Sequence, residues 1–572
     1  MPTTGQSSTA LLRRLTALSR QFGPEHVAEK LALLKALSRL SLKKSEELAL
    51  YHDALCFIRA YPDRREIEQF AENELKRFGH RIAKHQRSSS DRSVAQLEDS
   101  GIVGTLTRHP FGYEIARHLK QQFGKQVTLD WDDNLSGWED KLFDYLPMLV
   151  AWQENDSIDN DDDFDLEAFL RRARGRRGKD DLRGLLHLIS GSILPAQVKR
   201  FFFESLDLEM KWDLTNSSGS RTLCRVPSNK SFYFHEPLKR RCADLGEEMR
   251  RASARLVRLT EKRGAAMIAT ACEVLAVRNR ELYPVTLANP REIYKIEPGR
   301  GLQILLFATP PEIRLPLEAN FGAMFFRNGI PVAYGIAATL FERVEIAINV
   351  FPAFRAGESA YIIEQFFKVF CHHFGSRVFL VRSMQMGNDE EEALHSGAFW
   401  FYYKLGFRAI SPSVRKLAER ERSKQLKNPG YRTPISTQKQ LAKSDVVYFP
   451  DANSIKRWRE PKLATLGYRV TDYFATKYDG DRDAGVTGAV RFVQRALGVK
   501  NTASWTRAEV VALGRLAPLL ANISRLDRWN PRDKRAMVEI IRTKGSGLDR
   551  DYAQLCLSHS TFRDAIHQLA GV

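Results

Sequence analysis

Residues 345 to 402 of this 572-residue chain include side chains that suit acid–base and anion-binding chemistry. Small residues lie between Ala353 and Ala360, just before an apolar helix predicted to begin near Ile362. The first N–H groups of a helix lack intrahelical acceptors and attract anions, and small residues let such a ligand approach the backbone. Glu345 and Tyr402 add a carboxylate, which can accept a proton, and a phenol, which can donate one.

The apolar pattern around these residues predicts alternating strands and helices. Val344, Ile346, Ile348 and Val350 alternate with polar or small residues, which is typical of a strand with two different faces. Asn328-Gly329 predicts a type I′ hairpin turn. A helix is predicted from Asn388 to Gly406, with an apolar stripe of Leu394, Ala398, Phe401 and Leu405. The predicted order is strand, loop, helix, strand, helix, strand.

This order and its residues resemble the GNAT superfamily of N-acetyltransferases over roughly residues 320–410. The resemblance rests on the turn Arg327-Asn-Gly329, the element Val350-Phe-Pro-Ala-Phe-Arg355, and the element Tyr402-Tyr-Lys-Leu-Gly-Phe407. It implies an α+β fold, in which a GNAT-like mixed β-sheet with packed helices lies between largely helical N- and C-terminal regions. It also implies acyl transfer from an acyl-CoA, foremost acetyl-CoA, to an amine acceptor by direct attack, without a metal.

The resemblance also suggests roles for individual residues. The expected cofactor-binding residues are Val350, Arg355, Gly357, Ser359 and Ala360. Val350 would offer its N–H group to the thioester carbonyl, and the others would contact the pyrophosphate. Tyr402 would be the acid for the leaving thiolate and Glu345 the base for the amine, either directly or through a water molecule. Each also has a plainer interpretation, with Tyr402 as core packing and Glu345 as a solvated or hairpin-paired carboxylate.

Two residues depart from the family pattern. Glu358 stands where the loop has a glycine, and His395 stands where an asparagine often precedes the tyrosine. A carboxylate at 358 would repel a pyrophosphate, so we expect it to turn away from a bound cofactor.

Changes in composition, together with prolines and polar linker segments, suggest five regions, all but one of them mainly helical. A long basic amphipathic helix is predicted from Pro237 to Arg263. The regions are a helical N-terminal region (1–90), a helical region with acidic and basic loops (95–225), a basic helical connector (236–289), the GNAT-like acyltransferase domain (290–412) and a helical C-terminal region (413–572).

The charge balance favours anionic partners. Lys and Arg number 88 against 69 Asp and Glu, a formal net charge of +19, which suits nucleic acid as well as a phosphorylated cofactor. Six scattered cysteines without a CxxC pair, no signal-peptide pattern and no long apolar stretch predict a cytoplasmic protein with no membrane span. A non-catalytic GNAT-like scaffold that binds nucleic acid or a protein is therefore the alternative to an enzyme. An aminoacyl-tRNA-dependent transferase is a weaker option, because those enzymes resemble two tandem GNAT domains and only one is found here.

Overall fold

The computed structural model describes residues 7–131, 137–159, 164–175, 180–227, 230–449 and 460–572. Parts of the acidic and basic loops predicted in the second region, 160–163 and 176–179, lie outside the described residues. Among the residues described, no helix is long and apolar enough to cross a membrane.

The N-terminal region is helical, as the sequence predicts. Its helices share a core that includes Leu34, Tyr51 and Phe78. They are α1 (Ser8–Leu18), α2 (Pro24–Arg39), α3 (Ser45–Ala60), α4 (Arg65–Lys76), α5 (Phe78–Ser88) and α6 (Asp91–Ala95).

The second region has its own core and a small sheet that the sequence did not predict. Strands β1 (Leu106–His109), β2 (Val127–Leu129) and β3 (Met210–Asp213) form an antiparallel sheet in the order β1-β3-β2, around the fully buried Trp212. Strands of three or four residues are too short to show a period of two. The helices of this region are α7 (Tyr113–Phe123), α8 (Trp138–Tyr145), α9 (Asp156–Asp159), α10 (Leu166–Ala173), α11 (Asp181–Gly191) and α12 (Ala196–Ser205).

The prediction of one long helix from Pro237 to Arg263 is wrong. The chain is irregular up to residue 244, and the backbone N–H groups of Lys239 and Cys242 donate to the carboxylates of Glu358 and Glu364. These tertiary hydrogen bonds replace the helical ones. The segment contains α13 (Leu245–Arg250), the short strand β4 (Val257–Arg258), α14 (Glu261–Ala276) and α15 (Tyr283–Thr286).

A nine-stranded mixed sheet forms the centre of the protein, so the α+β fold with flanking helical regions is confirmed. Asn328 and Gly329 both have positive φ, 48° and 79°, which confirms the predicted hairpin turn. The strands of this sheet after β4 are β5 (Ile293–Gly299), β6 (Leu302–Ala308), β7 (Ala319–Arg327), β8 (Ile330–Leu340), β9 (Arg343–Val350), β10 (Val378–Val381), β11 (Arg408–Ala409) and β12 (Val446–Tyr448).

The strand order is β11-β12-β10-β9-β8-β7-β6-β5-β4. Neighbours are antiparallel except β9 and β10, which are parallel and are joined through helix α16 (Ser359–His373). The last strand, β12, inserts between β10 and β11 and lies beyond the predicted limit of 412. The parallel pair is central to the candidate site, because a crossover helix begins where its first strand ends.

The helix predicted from Asn388 to Gly406 is two helices. Gly397, with φ of 71°, separates α17 (Glu391–Ser396) from α18 (Ala398–Lys404). The left-handed conformation at this glycine changes the direction of the chain, so the apolar stripe of one continuous helix does not form.

Where the structure describes it, the C-terminal region after β11 is helical apart from β12. Its helices are α19 (Pro412–Lys427), α20 (Ile435–Leu441), α21 (Leu463–Tyr478), α22 (Arg482–Leu497), α23 (Arg507–Leu520), α24 (Pro531–Ser546), α25 (Asp549–Ser558) and α26 (Ser560–Ala570).

Candidate functional site

Strand β9 continues beyond its pairing with β10 and leaves part of one edge open. The parallel register ends at Leu380 opposite Glu345, whereas β9 pairs with β8 as far as Val350 opposite Ala333. The N–H of Phe351 donates to Val332 O on the β8 side at 2.9 Å. Backbone groups alternate along a strand, so Ile346, Ile348 and Val350 direct theirs to the side where β10 has ended.

A cavity of 600 Å³ lies at this open edge, within the range of about 300–1,000 Å³ that small-ligand pockets occupy. It brings together four of the seven residues predicted from the sequence, Val350, Arg355, Ser359 and Tyr402. Ile363 of α16 and Phe401 of α18 add apolar lining. The first turn of α16 also meets the cavity, and no side chain caps this helix end.

The Arg355 side chain is held at the mouth of the cavity by three contacts, the longest of them from Nη2 to Asn349 Oδ1 at 3.4 Å. Its Nε donates to Val350 O at 3.1 Å, and its Nη2 lies 2.6 Å from Glu392 Oε1. The side chain is 37% exposed. A guanidinium so placed can reach an anion at the α16 N-terminus, but the anion must compete with Glu392.

Gly357 and Ala360 lie in the predicted loop but outside the lining of the cavity. A Cβ atom on Gly357 would lie 2.6 Å from Tyr61 Oη, just after α3, so packing against the N-terminal region requires glycine there. Ala360 is the second residue of α16. The role predicted for these two residues is therefore limited to their backbone.

Glu358 turns into the protein, away from the cavity. Its side chain is fully buried, and Oε1 accepts hydrogen bonds from Lys239 N–H at 2.8 Å and Arg300 Nε at 3.0 Å. Because the carboxylate is neutralised inside the protein, it does not oppose an anion in the cavity.

Tyr402 is buried and lines the cavity. Its ring packs edge-on against Phe407, with ring centroids 5.4 Å apart. Burial raises the pKa of the Tyr402 hydroxyl above its ordinary value, so the group stays protonated at neutral pH. The break at Gly397 buries Tyr402 and leaves Phe401 half-buried, the reverse of the predicted stripe.

Glu345 lies on the same face of β9 as the cavity residues Ala347 and Asn349, but outside the cavity lining. Its Oε2 is 2.6 Å from Arg382 Nη2. Burial lowers the pKa of Arg382, but the hydrogen bond and charge of Glu345, together with Glu460 and Asp445, outweigh it and raise that pKa. Glu345 is therefore part of an ion-pair network at the point where β9 and β10 separate.

A second candidate base, which sequence reasoning missed, is one of the carboxylates that line the cavity. Glu281 lines this cavity and also an adjacent one of 480 Å³ that includes Glu114 and Glu204. Its Oε1 accepts the N–H of Gly112 at 2.6 Å. Although Glu281 is an exposed residue, desolvation of its carboxylate raises its pKa, with the Gly112 N–H opposing the shift and Glu204 adding to it. The residue lies outside the GNAT-like segment, and no local pattern marks it.

No family model, curated protein or solved structure matches this chain. Within the described ranges, no group of three His, Cys, Asp or Glu side chains is arranged to hold a metal ion.

Proposed function

We propose that this protein transfers an acyl group from an acyl-CoA, foremost acetyl-CoA, to an amine. The observation that carries the proposal is the parting of β9 and β10 after Glu345, with the open β9 edge, the α16 N-terminus and Tyr402 around one cavity. The parallel pair β9 and β10, joined through α16, further supports the strand, loop, helix, strand order of a GNAT-like domain.

The open edge suits the extended part of an acyl-CoA. Backbone groups at Ile348 and Val350 can hydrogen-bond to an amide-containing chain as a missing strand would. The N–H of Val350 is then the donor for the thioester carbonyl, whose oxygen becomes negative as the amine attacks. The pyrophosphate would lie at the α16 N-terminus, beside Arg355 and Ser359.

Proton transfer completes the reaction. The attacking amine loses a proton to a carboxylate, and the departing sulfur gains one from Tyr402, which stays protonated. Glu345 remains the base predicted from the sequence, although Arg382 holds it in an ion pair. Glu281 is the alternative, because it lies in the cavity wall and has a raised pKa.

Calorimetric titration with acetyl-CoA and with CoA tests the proposal. We expect saturable binding of both, and a rise in melting temperature that grows with ligand concentration. AMP, which has no pantetheine chain to follow the β9 edge, serves as the matched control and should bind more weakly. Absence of binding at millimolar acetyl-CoA would contradict the proposal.

A non-catalytic scaffold is the second candidate, and a specific observation favours it. Three carboxylates, Glu281, Glu390 and Glu392, line the cavity together with Arg355, and Glu392 already pairs with that arginine. Such a lining repels a polyphosphate unless the side chains move. The titration separates the two functions, because a scaffold needs no acyl-CoA.

A further inference from the structure

Helix α19 presents a row of cations to solvent. Lys416, Arg420, Lys424 and Lys427 are all exposed and follow one another at intervals of four, four and three residues. At 1.5 Å per residue the row is about 16 Å long. We call these four residues the α19 basic face.

Another side of α19 is fixed to the protein. Ala418 and Glu421 are buried there, and Glu421 accepts hydrogen bonds from Tyr431 Oη at 2.8 Å and Lys424 Nζ at 2.6 Å. Burial raises the pKa of Glu421, but hydrogen bonds from Lys424 and Tyr431 outweigh it and lower that pKa. The buried carboxylate therefore stays ionised and holds the following turn against the helix.

Little negative charge balances the α19 basic face. Among the described residues, Lys416, Arg420 and Lys427 form no ion pair, and Glu419 is the exposed carboxylate of the helix. The stretch 412–443 contains nine Lys and Arg residues and two Glu residues. Arg432, Lys439 and Lys443, which follow α19, are exposed as well.

We propose that the α19 basic face binds the phosphate backbone of a nucleic acid. Phosphates of one strand follow each other at about 3.4 Å along a duplex axis, so a row of this length spans about five nucleotides. Long basic side chains at helical spacing reach such a row without a formed pocket, and contacts of this kind give affinity without sequence preference. This function is independent of acyl transfer.

A membrane surface fits the same helix less well. A helix that lies on a membrane buries a continuous apolar face among the lipids. On α19, Val414 and Leu417 are partly buried against the protein, and Leu426 is the large apolar side chain that is well exposed. The free side is therefore cationic rather than amphipathic.

The test compares two triple charge reversals of the full-length protein. Lys416→Glu, Arg420→Glu and Lys427→Glu reverse three of the four charges of the α19 basic face and keep Lys424, which pairs with Glu421. Lys35→Glu, Arg39→Glu and Lys43→Glu change the same net charge at exposed positions of the N-terminal region. Fluorescence anisotropy with a labelled single-stranded RNA and a labelled DNA duplex, both of mixed sequence, measures binding from about 50 to 200 mM salt.

We expect the wild type to bind at least one probe, and the α19 variant to bind it roughly tenfold or more weakly. Its slope of log affinity against log salt should become shallower by about one for each phosphate that the variant no longer neutralises. The N-terminal variant should keep most of the wild-type affinity and most of the wild-type salt dependence. The proposal would be overturned if the two variants lost affinity equally, or if the wild type bound neither probe at about 150 mM salt. It would also be overturned if the protein bound phosphatidylserine vesicles and neither probe. Unchanged melting temperatures show that both variants are folded.

Discussion

The carboxylate of Glu358 lies 3.0 Å from the guanidinium of Arg327, and both side chains are fully buried. Glu358 immediately precedes α16, and Arg327 is the last residue of β7, next to the Asn328-Gly329 turn. The hairpin turn, which is one of the elements on which the GNAT resemblance rests, is therefore joined to the residue before α16 by an ion pair. This pair fixes where the α16 N-terminus points.

Glu358→Gln should destabilise the protein strongly. The substitution keeps the shape of the side chain but leaves Arg327 without its counter-ion and weakens the hold on Arg300. Loss of one partner of a buried ion pair costs about 3–5 kcal/mol. Chemical unfolding measures the effect, with Glu419→Gln on the exposed side of α19 as the control, expected within about 0.5 kcal/mol of wild type. A Glu358→Gln protein as stable as this control would show that the pair contributes little.

Arg355 and Glu392 should have opposite effects on acyl-CoA affinity. Arg355→Ala removes the cation beside the α16 N-terminus and should weaken binding. Glu392→Gln releases Arg355 from its 2.6 Å ion pair and should strengthen binding. Both side chains are well exposed, so neither change should alter folding. Calorimetry measures the dissociation constant of acetyl-CoA for each variant. Equal constants for the two variants would show that Arg355 does not contribute to binding.

Tyr402→Phe should lower kcat by roughly 10²-fold and leave acyl-CoA affinity nearly unchanged. The ring and its packing on Phe407 remain, and only the proton donor is removed. If Tyr402 has a packing role alone, the change should cost little stability, because its hydroxyl makes no hydrogen bond among the described residues and the ring packing is kept. The assay needs an acceptor, so a panel of polyamines, amino acids and basic peptides comes first. Full turnover in the variant would exclude Tyr402 from the reaction.

The pH profile should identify the base. A carboxylate accepts a proton only when ionised, so kcat/KM falls as the pH drops through the pKa of the base. Because the pKa of Glu281 is raised, this fall should begin at a higher pH than for an ordinary carboxylate. If Glu281 is the base, Glu281→Gln should lower the rate and abolish this fall in kcat/KM at low pH, whereas Glu345→Gln should leave the fall in place. If Glu345→Gln abolishes the fall and Glu281→Gln does not, Glu345 is the base.

Local sequence patterns were sufficient to predict the central strands and the hairpin. Alternation in residues 344 to 350 marks β9, and Asn328-Gly329 marks the turn, because each depends on backbone preferences of the residues themselves. The loop before α16 was likewise predicted from the chain order, whereas the role of Tyr402 came from the GNAT resemblance and stays a prediction. The predictions of a long helix from Pro237 and of one continuous helix from Asn388 were wrong, since tertiary hydrogen bonds and Gly397 overrode the helical pattern.

The tertiary structure alone decided what surrounds the cavity. The sequence placed Glu358 in the loop, but only its buried arginine partners show which way it turns. The sequence placed Glu345 on the strand, but the Arg382 pair that neutralises it comes from another strand end. Glu281 reaches the cavity from a region with no resemblance to the GNAT family. Periodicity reports which neighbours a residue has along its own element, whereas charge pairing and cavity lining depend on contacts between distant parts of the chain.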